Sequence, residues 1–212
     1  MNAVALLLAA GGSERMGSPK ALLPWRGQPL LAYQLQQIQR SRIAECVVVL
    51  GAEADRLLPL VDAGRWPTWK ARAVRNPRHR EGKTGSILTG LTALVERPDG
   101  ILIASVDQPL DGRLIDALLR AAEEEWERGP ATGRPILVPV HAGRRGHPPL
   151  FSVALMGELM GISEESEGLK AVVRRRPERV REVPWESADI LLNLNSPLDL
   201  PPPEARPGPF AP

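Results

Sequence analysis

The chain has 212 residues, 43% of them hydrophobic and 25% charged, with a formal net charge of +2; that is enough for one substantial core, and the near balance of charge excludes a wholesale nucleic-acid surface. No apolar stretch approaches the ~20 residues that span a bilayer, and no basic segment precedes the apolar N-terminal run, so a cytoplasmic protein without a membrane anchor is expected. The single cysteine, Cys46 in "CVVVL", rules out an internal disulfide framework and reads as a small buried hydrophobe.

In chain order, short β-type runs alternate with helical patterns, which predicts an α/β domain with a mostly parallel sheet. "VALLLAA" (4–10) is a continuous apolar run of the kind a doubly covered central strand requires. Leu31, Leu35 and Ile38 place one apolar face on a helix. "CVVVLG" is the second strand, followed by a less regular segment containing Trp66 and Trp69. Ile87, Leu88, Leu91, Leu94 and Val95 then fall at helical spacing, with Pro98 as the stop. "GILIASVD" (100–107) is the third strong strand. The helix after it has Asp111 placed as its cap and Gly129 just past its end. "PILVPV", "ALMGELMGI", "EGLKAVVRRRP" and "RVREVPW" supply shorter elements, and residues 201–212 form a Pro-rich tail expected to be disordered.

Ligands of an open α/β sheet sit beyond the carboxyl ends of its strands, which draws attention to "AAGGSERMGSPK" after the first strand. Gly11, Gly12 and Gly17 let backbone N–H groups approach an anion, and Arg15 and Lys20 add charge. Two isolated cations would be a solvated pair; directly after a buried strand they point to phosphate binding. The loop is not a Walker A motif, because Ser18 and Pro19 follow Gly17 where Lys and Ser/Thr are required. "GKTG" (82–85) is a second near miss, with Pro77 where its first Gly belongs.

The full string "LLLAAGGSERMGSPKALLPWRGQPLL" resembles the signature of the molybdenum-cofactor guanylyl- and cytidylyltransferases. Further segments match in order: "NPRHREGKTGSILTGL", "SVDQPL", "GRRGHPPLF" and "LNLNSPLDL". The resemblance covers nearly all of residues 1–200 and implies one three-layer, Rossmann-like nucleotidyltransferase domain. It implies transfer of a nucleotidyl group from an NTP to a phosphate of molybdenum cofactor, with pyrophosphate leaving. "LAAG" and "GRRGHP" favour CTP. Guanylyl transfer and sugar-phosphate nucleotidyl transfer are the rivals within the class, and a non-catalytic molybdenum cofactor carrier for a hydroxylase is the rival outside it.

Both reactants are anionic, so the chemistry is positioning and charge neutralisation. Carried over residue by residue, the resemblance assigns Arg15, Lys20 and Asp107 to catalysis. It assigns Leu8, Ala9, Ala10, Gly11, Gly12, Gly17, Lys20, Asn76 and Ser86 to the nucleotide, and Arg144, Arg145, Gly146 and His147 to the acceptor. Ser86 serves equally as a helix N-cap, Asp107 as a turn cap, and the "GRRGHPPL" segment as a basic surface hairpin. Asp107 and Asn195 are the expected Mg²⁺ ligands. Asn193 and Asn195 stand where many sequences of this type carry Asp, and an amide oxygen can coordinate the ion without adding charge. "GISEESEGLKAVV" departs from the Gly-Asp-x-Gly-Ala-Arg pattern of the cytidylyltransferase branch. The partners implied are the NTP, a molybdopterin-type acceptor and a molybdenum hydroxylase that receives the product. The five tryptophans form no regular basic array, and Trp126 continues the apolar face of Ile115, Leu118, Leu119 and Ala122, so packing is expected of them.

Overall fold

A computed structural model describes residues 1–12, 19–62, 70–127, 135–195 and 199. Arg15, Gly17, Trp66, Trp69, Gly129 and the 201–212 tail lie outside the described residues. In chain order the elements are β1 (Ala3–Ala9), β2 (Pro24–Trp25), β3 (Gln28–Pro29), α1 (Leu30–Gln39), β4 (Glu45–Leu50), α2 (Ala54–Asp62), β5 (Lys70–Arg75), α3 (Lys83–Thr92), β6 (Gly100–Ser105), α4 (Gly112–Glu127), β7 (Ile136–His141), β8 (Arg144–Arg145), β9 (Leu150–Ser152), α5 (Met156–Met160), α6 (Leu169–Arg175) and β10 (Val180–Pro184).

The main sheet runs β10-β7-β9-β6-β1-β4-β5, with β8 attached to β7. All its pairs are parallel except those of β9 with β6 and β7 and of β8 with β7. β1 is central, and its side chains alternate between two cores. Ala3, Ala5, Leu7 and Ala9 face α1, α2 and α4, while Val4, Leu6 and Leu8 face α3, α5 and α6. This double cover is why the strand is an unbroken apolar run, and it produces the three-layer, Rossmann-like α/β arrangement. Among the described residues, no helix is long and apolar enough to cross a membrane.

Cys46 is fully buried, and burial pushes its thiol well above the ordinary value, so it is a packing residue. Asp111 caps α4, its carboxylate accepting the Arg113 N–H at 2.8 Å. Trp25 and Trp126 are core residues, and Trp185 is half-buried beneath the Arg113 guanidinium.

Three expectations are corrected. The helix expected to run on toward Pro98 ends at Thr92. Val95 finds no apolar partner and is 83% exposed, while Arg72, reaching over from the edge strand β5, donates to the Ala93 carbonyl and closes the helix end. Ser86 is not an N-cap: Gly82 holds that position and Ser86 lies inside α3. The "less regular" segment contains α2 and β5. β5 is an edge strand paired only with β4, which lets "KARAVR" carry three charges, at Lys70, Arg72 and Arg75, and hides its β signal.

Candidate active site

β1 has β4 on one side and β6 on the other, so the chain reverses its direction of winding beside β1 and leaves a crevice beyond the carboxyl ends of β1 and β6. The turn after β6 carries Asp107, and its shape is imposed by a side chain from α1. Gln34, fully buried, donates from Nε2 to the carbonyls of Ser105 (3.3 Å), Val106 (3.1 Å) and Gln108 (2.9 Å). Its Oε1 accepts the Leu110 N–H at 3.1 Å. One amide thereby satisfies four backbone groups that a buried turn would otherwise leave unpaired.

The segment 193–195 is docked on this turn. Gln108 Nε2 donates to Asn193 Oδ1 (2.8 Å), and the Leu194 N–H donates to the Asp107 carbonyl (2.8 Å). Asn195 is thus brought beside Asp107 from 88 positions later in the chain (195 less 107). Lys20 joins them: its Nζ donates to Asp107 Oδ2 at 3.2 Å and to Asn195 Oδ1 at 2.8 Å. Asp107 Oδ1 is buried and accepts no hydrogen bond among the described residues. Three sequence-assigned residues therefore converge on one point, with Lys20 engaging one oxygen each of Asp107 and Asn195 and leaving Asp107 Oδ1 unengaged.

Two cavities lie beside the turn after β6 and share Ser105. The first, of about 280 Å³, is lined by Leu8, Ala9, Gly11, Gly12, Lys20, Asp107 and Asn195. Glu53, which no motif singled out, completes one wall and pairs with Arg56 at 3.1 Å. Ala10 turns into the core instead. Asn76 and Ser86 line neither cavity: both are buried and bonded to each other at 3.0 Å, with Asn76 Oδ1 also accepting the Arg78 N–H. The described structure thus presents them as a strut beneath the loop after β5.

The second cavity, of about 530 Å³, takes in Arg145, Gly146 and His147. Ala142 and Gly143, both at positive φ, turn the β7–β8 hairpin, so the surface-hairpin alternative holds for Arg144, which is exposed and outside the cavity. Gly146 then passes so close to Ile190 that a Cβ would lie 2.5 Å from its carbonyl oxygen. This close pass lets the His147 N–H bond the same carbonyl at 2.9 Å. Burial and the nearby Lys83 charge both lower the His147 pKa, which favours the neutral imidazole. Apolar Ile87, Val138 and Phe151 line the cavity. Lys83, Glu164, Lys170 and Arg174 also line it. Sequence reasoning gave these four no role of their own: the near-miss "GKTG" holds Lys83, and "GISEESEGLKAVV", noted only as a departure from the cytidylyltransferase pattern, holds Glu164 and Lys170.

Among the described residues no three His, Cys, Asp or Glu side chains converge as a metal cage. What the centre offers is one carboxylate, one amide oxygen, two lysine-reachable cavities and glycine-lined backbone: a site suited to anionic ligands approaching from two sides.

The comparisons with known proteins agree in kind. A family model described as a MobA-like NTP transferase domain matches residues 5–180. The chain is 30% identical to a nicotine blue oxidoreductase of Paenarthrobacter nicotinovorans over 81% of each chain. It is also 30% identical to a probable molybdenum cofactor guanylyltransferase of Synechococcus elongatus, over 94% of this chain and 96% of that one. Among solved structures, a nucleotidyl transferase from Methanothermobacter thermautotroptrophicus superposes with a TM-score of 0.74 at 21% identity, covering 93% of this chain and 94% of that one.

Proposed function

The chain belongs to the MobA-like NTP transferase family and is a nucleotidyltransferase, and from that premise we propose that it transfers a nucleotidyl group, from CTP in the favoured case, to the terminal phosphate of a molybdopterin-type cofactor. The observation that carries this reading is the pair of cavities that share Ser105, the first lined by Lys20 and Asp107 and the second by Gln108 and His147. The first cavity takes the NTP, the second the acceptor. The acceptor phosphate oxygen attacks the α-phosphorus, and the bond to pyrophosphate breaks. Because the reactants repel, the work of the protein is to hold them in line and offset their charge.

Gly11 and Gly12, open to the first cavity, supply backbone donors, and Lys20 supplies the cation nearest the reacting centre. Arg15 and Gly17 complete that loop in this reading. The orphaned Asp107 Oδ1 and the Asn195 amide oxygen fit Mg²⁺, which takes a few hard oxygens and keeps several waters. Bound there, the ion would neutralise phosphate charge. Asp107 and Asn195 would hold it, and Lys20, unable to share their oxygens with a second cation, would serve the triphosphate. On the acceptor side His147 offers a neutral hydrogen-bonding group above an apolar floor suited to a flat heterocycle.

CTP rests on the resemblance of "LAAG" and "GRRGHP", while the guanylyltransferase relative supports GTP. The deciding experiment is pyrophosphate release with Mg²⁺ and purified molybdenum cofactor, offering CTP, GTP, ATP and UTP separately. Release confined to CTP supports the reading, and release with GTP moves the chain to the guanylyl branch. No release from folded protein with any nucleotide would overturn it in favour of a cofactor carrier or of the redox chemistry for which the Paenarthrobacter relative is named.

A further inference from the structure

Two polar side chains of the turn after β6, Ser105 and Gln108, line the second cavity. Both are deeply buried, at 9% and 7% exposure. The Gln108 N–H donates to the Ser105 carbonyl at 3.0 Å, which folds the two residues onto one tight turn. By alternation along β6, Ser105 shares the sheet face of Ile101 and Ile103, the face that α3, α5 and α6 cover.

Among the described residues the Ser105 hydroxyl has no hydrogen-bond partner, and the Gln108 amide has one, Asn193, at its Nε2 end. Gln108 Oε1 accepts nothing. Neither oxygen is sealed from solvent in the way that Asp107 Oδ1 is. Gln108 does not line the first cavity, so the second is where its free oxygen can be met.

Polar groups buried to this degree are ordinarily paired. Here one oxygen only accepts, one hydroxyl both donates and accepts, and neither carries charge. An amide oxygen repels a phosphate, so the pair does not call for an anion. Around it stand Ile103, Val138 and Phe151. A few neutral polar groups in an apolar wall are the make-up of a site for an uncharged ring. An acceptor and a hydroxyl donor on one turn match a lactam edge, where a ring N–H adjoins a ring C=O.

We infer that Gln108 and Ser105 read the lactam edge of the acceptor's heterocycle, Gln108 Oε1 accepting the ring N–H and the Ser105 hydroxyl donating to the neighbouring carbonyl. The inference rests on the placement of a molybdopterin-type acceptor in the second cavity. The two ends of the Gln108 amide then have separate tasks: Nε2 holds the segment that carries Asn195, and Oε1 selects the ring. A ring without the N–H would leave a desolvated oxygen unpaired, which is how such a site discriminates.

Binding of a free pterin that has no phosphate, followed by the pterin's own fluorescence and without Mg²⁺, tests the assignment on the full chain. Gln108→Met should weaken it on the order of tenfold and Ser105→Ala several-fold, with circular dichroism confirming the fold. Asn193→Ala, which cuts only the Nε2 bond, should leave it within about twofold. A pterin methylated at the ring N–H should lose the same order of affinity for the unaltered protein and bind Gln108→Met no worse than its parent does. Free pterin that does not bind, binds indifferently to both Gln108→Met and Ser105→Ala, or is lost equally in Asn193→Ala would overturn the assignment. Gln108-dependent pterin binding in a protein that releases no pyrophosphate with molybdenum cofactor would sink the transfer reading and leave the assignment standing. Pyrophosphate release at an acceptor KM unmoved by both substitutions would do the reverse.

Discussion

The two cavities differ in how the chain builds them. The first cavity, proposed for the nucleotide, takes much of its described lining from residues 8–12 and 19–21, with Asp107 and Asn195 closing it. The second cavity, proposed for the acceptor, is gathered from residues 83–87, 103–108, 145–151 and 164–174. Triphosphate binding needs backbone donors and a cation, which one strand-to-helix loop can supply. Enclosing a larger acceptor needs walls, and walls come from several elements meeting at the end of a sheet. The first kind of site is written locally; the second exists only after β6, β7 and β9 have paired.

Substitutions can break or sharpen this contrast. The largest effect is expected at Asp107, the carboxylate after β6 that Lys20 engages in the first cavity. Asp107→Ala should lower kcat on the order of 10²- to 10³-fold with the fold retained, checked by steady-state pyrophosphate release alongside circular dichroism. Unaltered turnover at limiting Mg²⁺ would remove Asp107 from the centre. Lys20→Ala should cost about 10²-fold in kcat/KM for the NTP and leave the acceptor KM in place. An equal loss on both substrates would blur the division between the cavities.

Gln34→Leu acts through the turn rather than by touching substrate. Leaving the Ser105, Val106 and Gln108 carbonyls without their donor should destabilise the fold by about 2–3 kcal/mol, read as a lower urea midpoint at constant slope. The smallest effect belongs to the acceptor side alone. Burial, then the Lys83 charge, lowers His147 from its ordinary value of 6.5, so the unfolded chain takes up its proton first. Stability should be full above 6.5 and decline modestly as pH falls through the interval below it. His147→Gln should flatten that decline, and a persisting slope would assign it to other groups.

The same contrast explains what was legible. "VALLLAA" announced a central strand because it is covered on both faces, and the glycine loop drew attention as an anion-site candidate because its residues are consecutive. Asp107 stood out at a strand end, but nothing local ties Asn195 to it; the family resemblance supplied that link and the Gln108–Asn193 bond explains it. Asn76 and Ser86 were assigned to the nucleotide from their motif, whereas in the fold they satisfy each other beneath a loop. Lys83, Glu164 and Lys170 were missed because each is an ordinary charged residue until topology brings them to one cavity. β5 was missed because an edge strand need not be apolar.

The Gln34 amide also bears on redesign. On the proposed reading, a change of acceptor specificity can be sought by exchanging the chain around 145–149 or 164–170, which lines the second cavity. Residues 105–110 are different: their carbonyls and one N–H are read by a side chain 71 positions earlier (105 less 34), on α1. A graft of that turn from a relative would have to bring the matching helix with it, so the transferable unit is the turn together with α1.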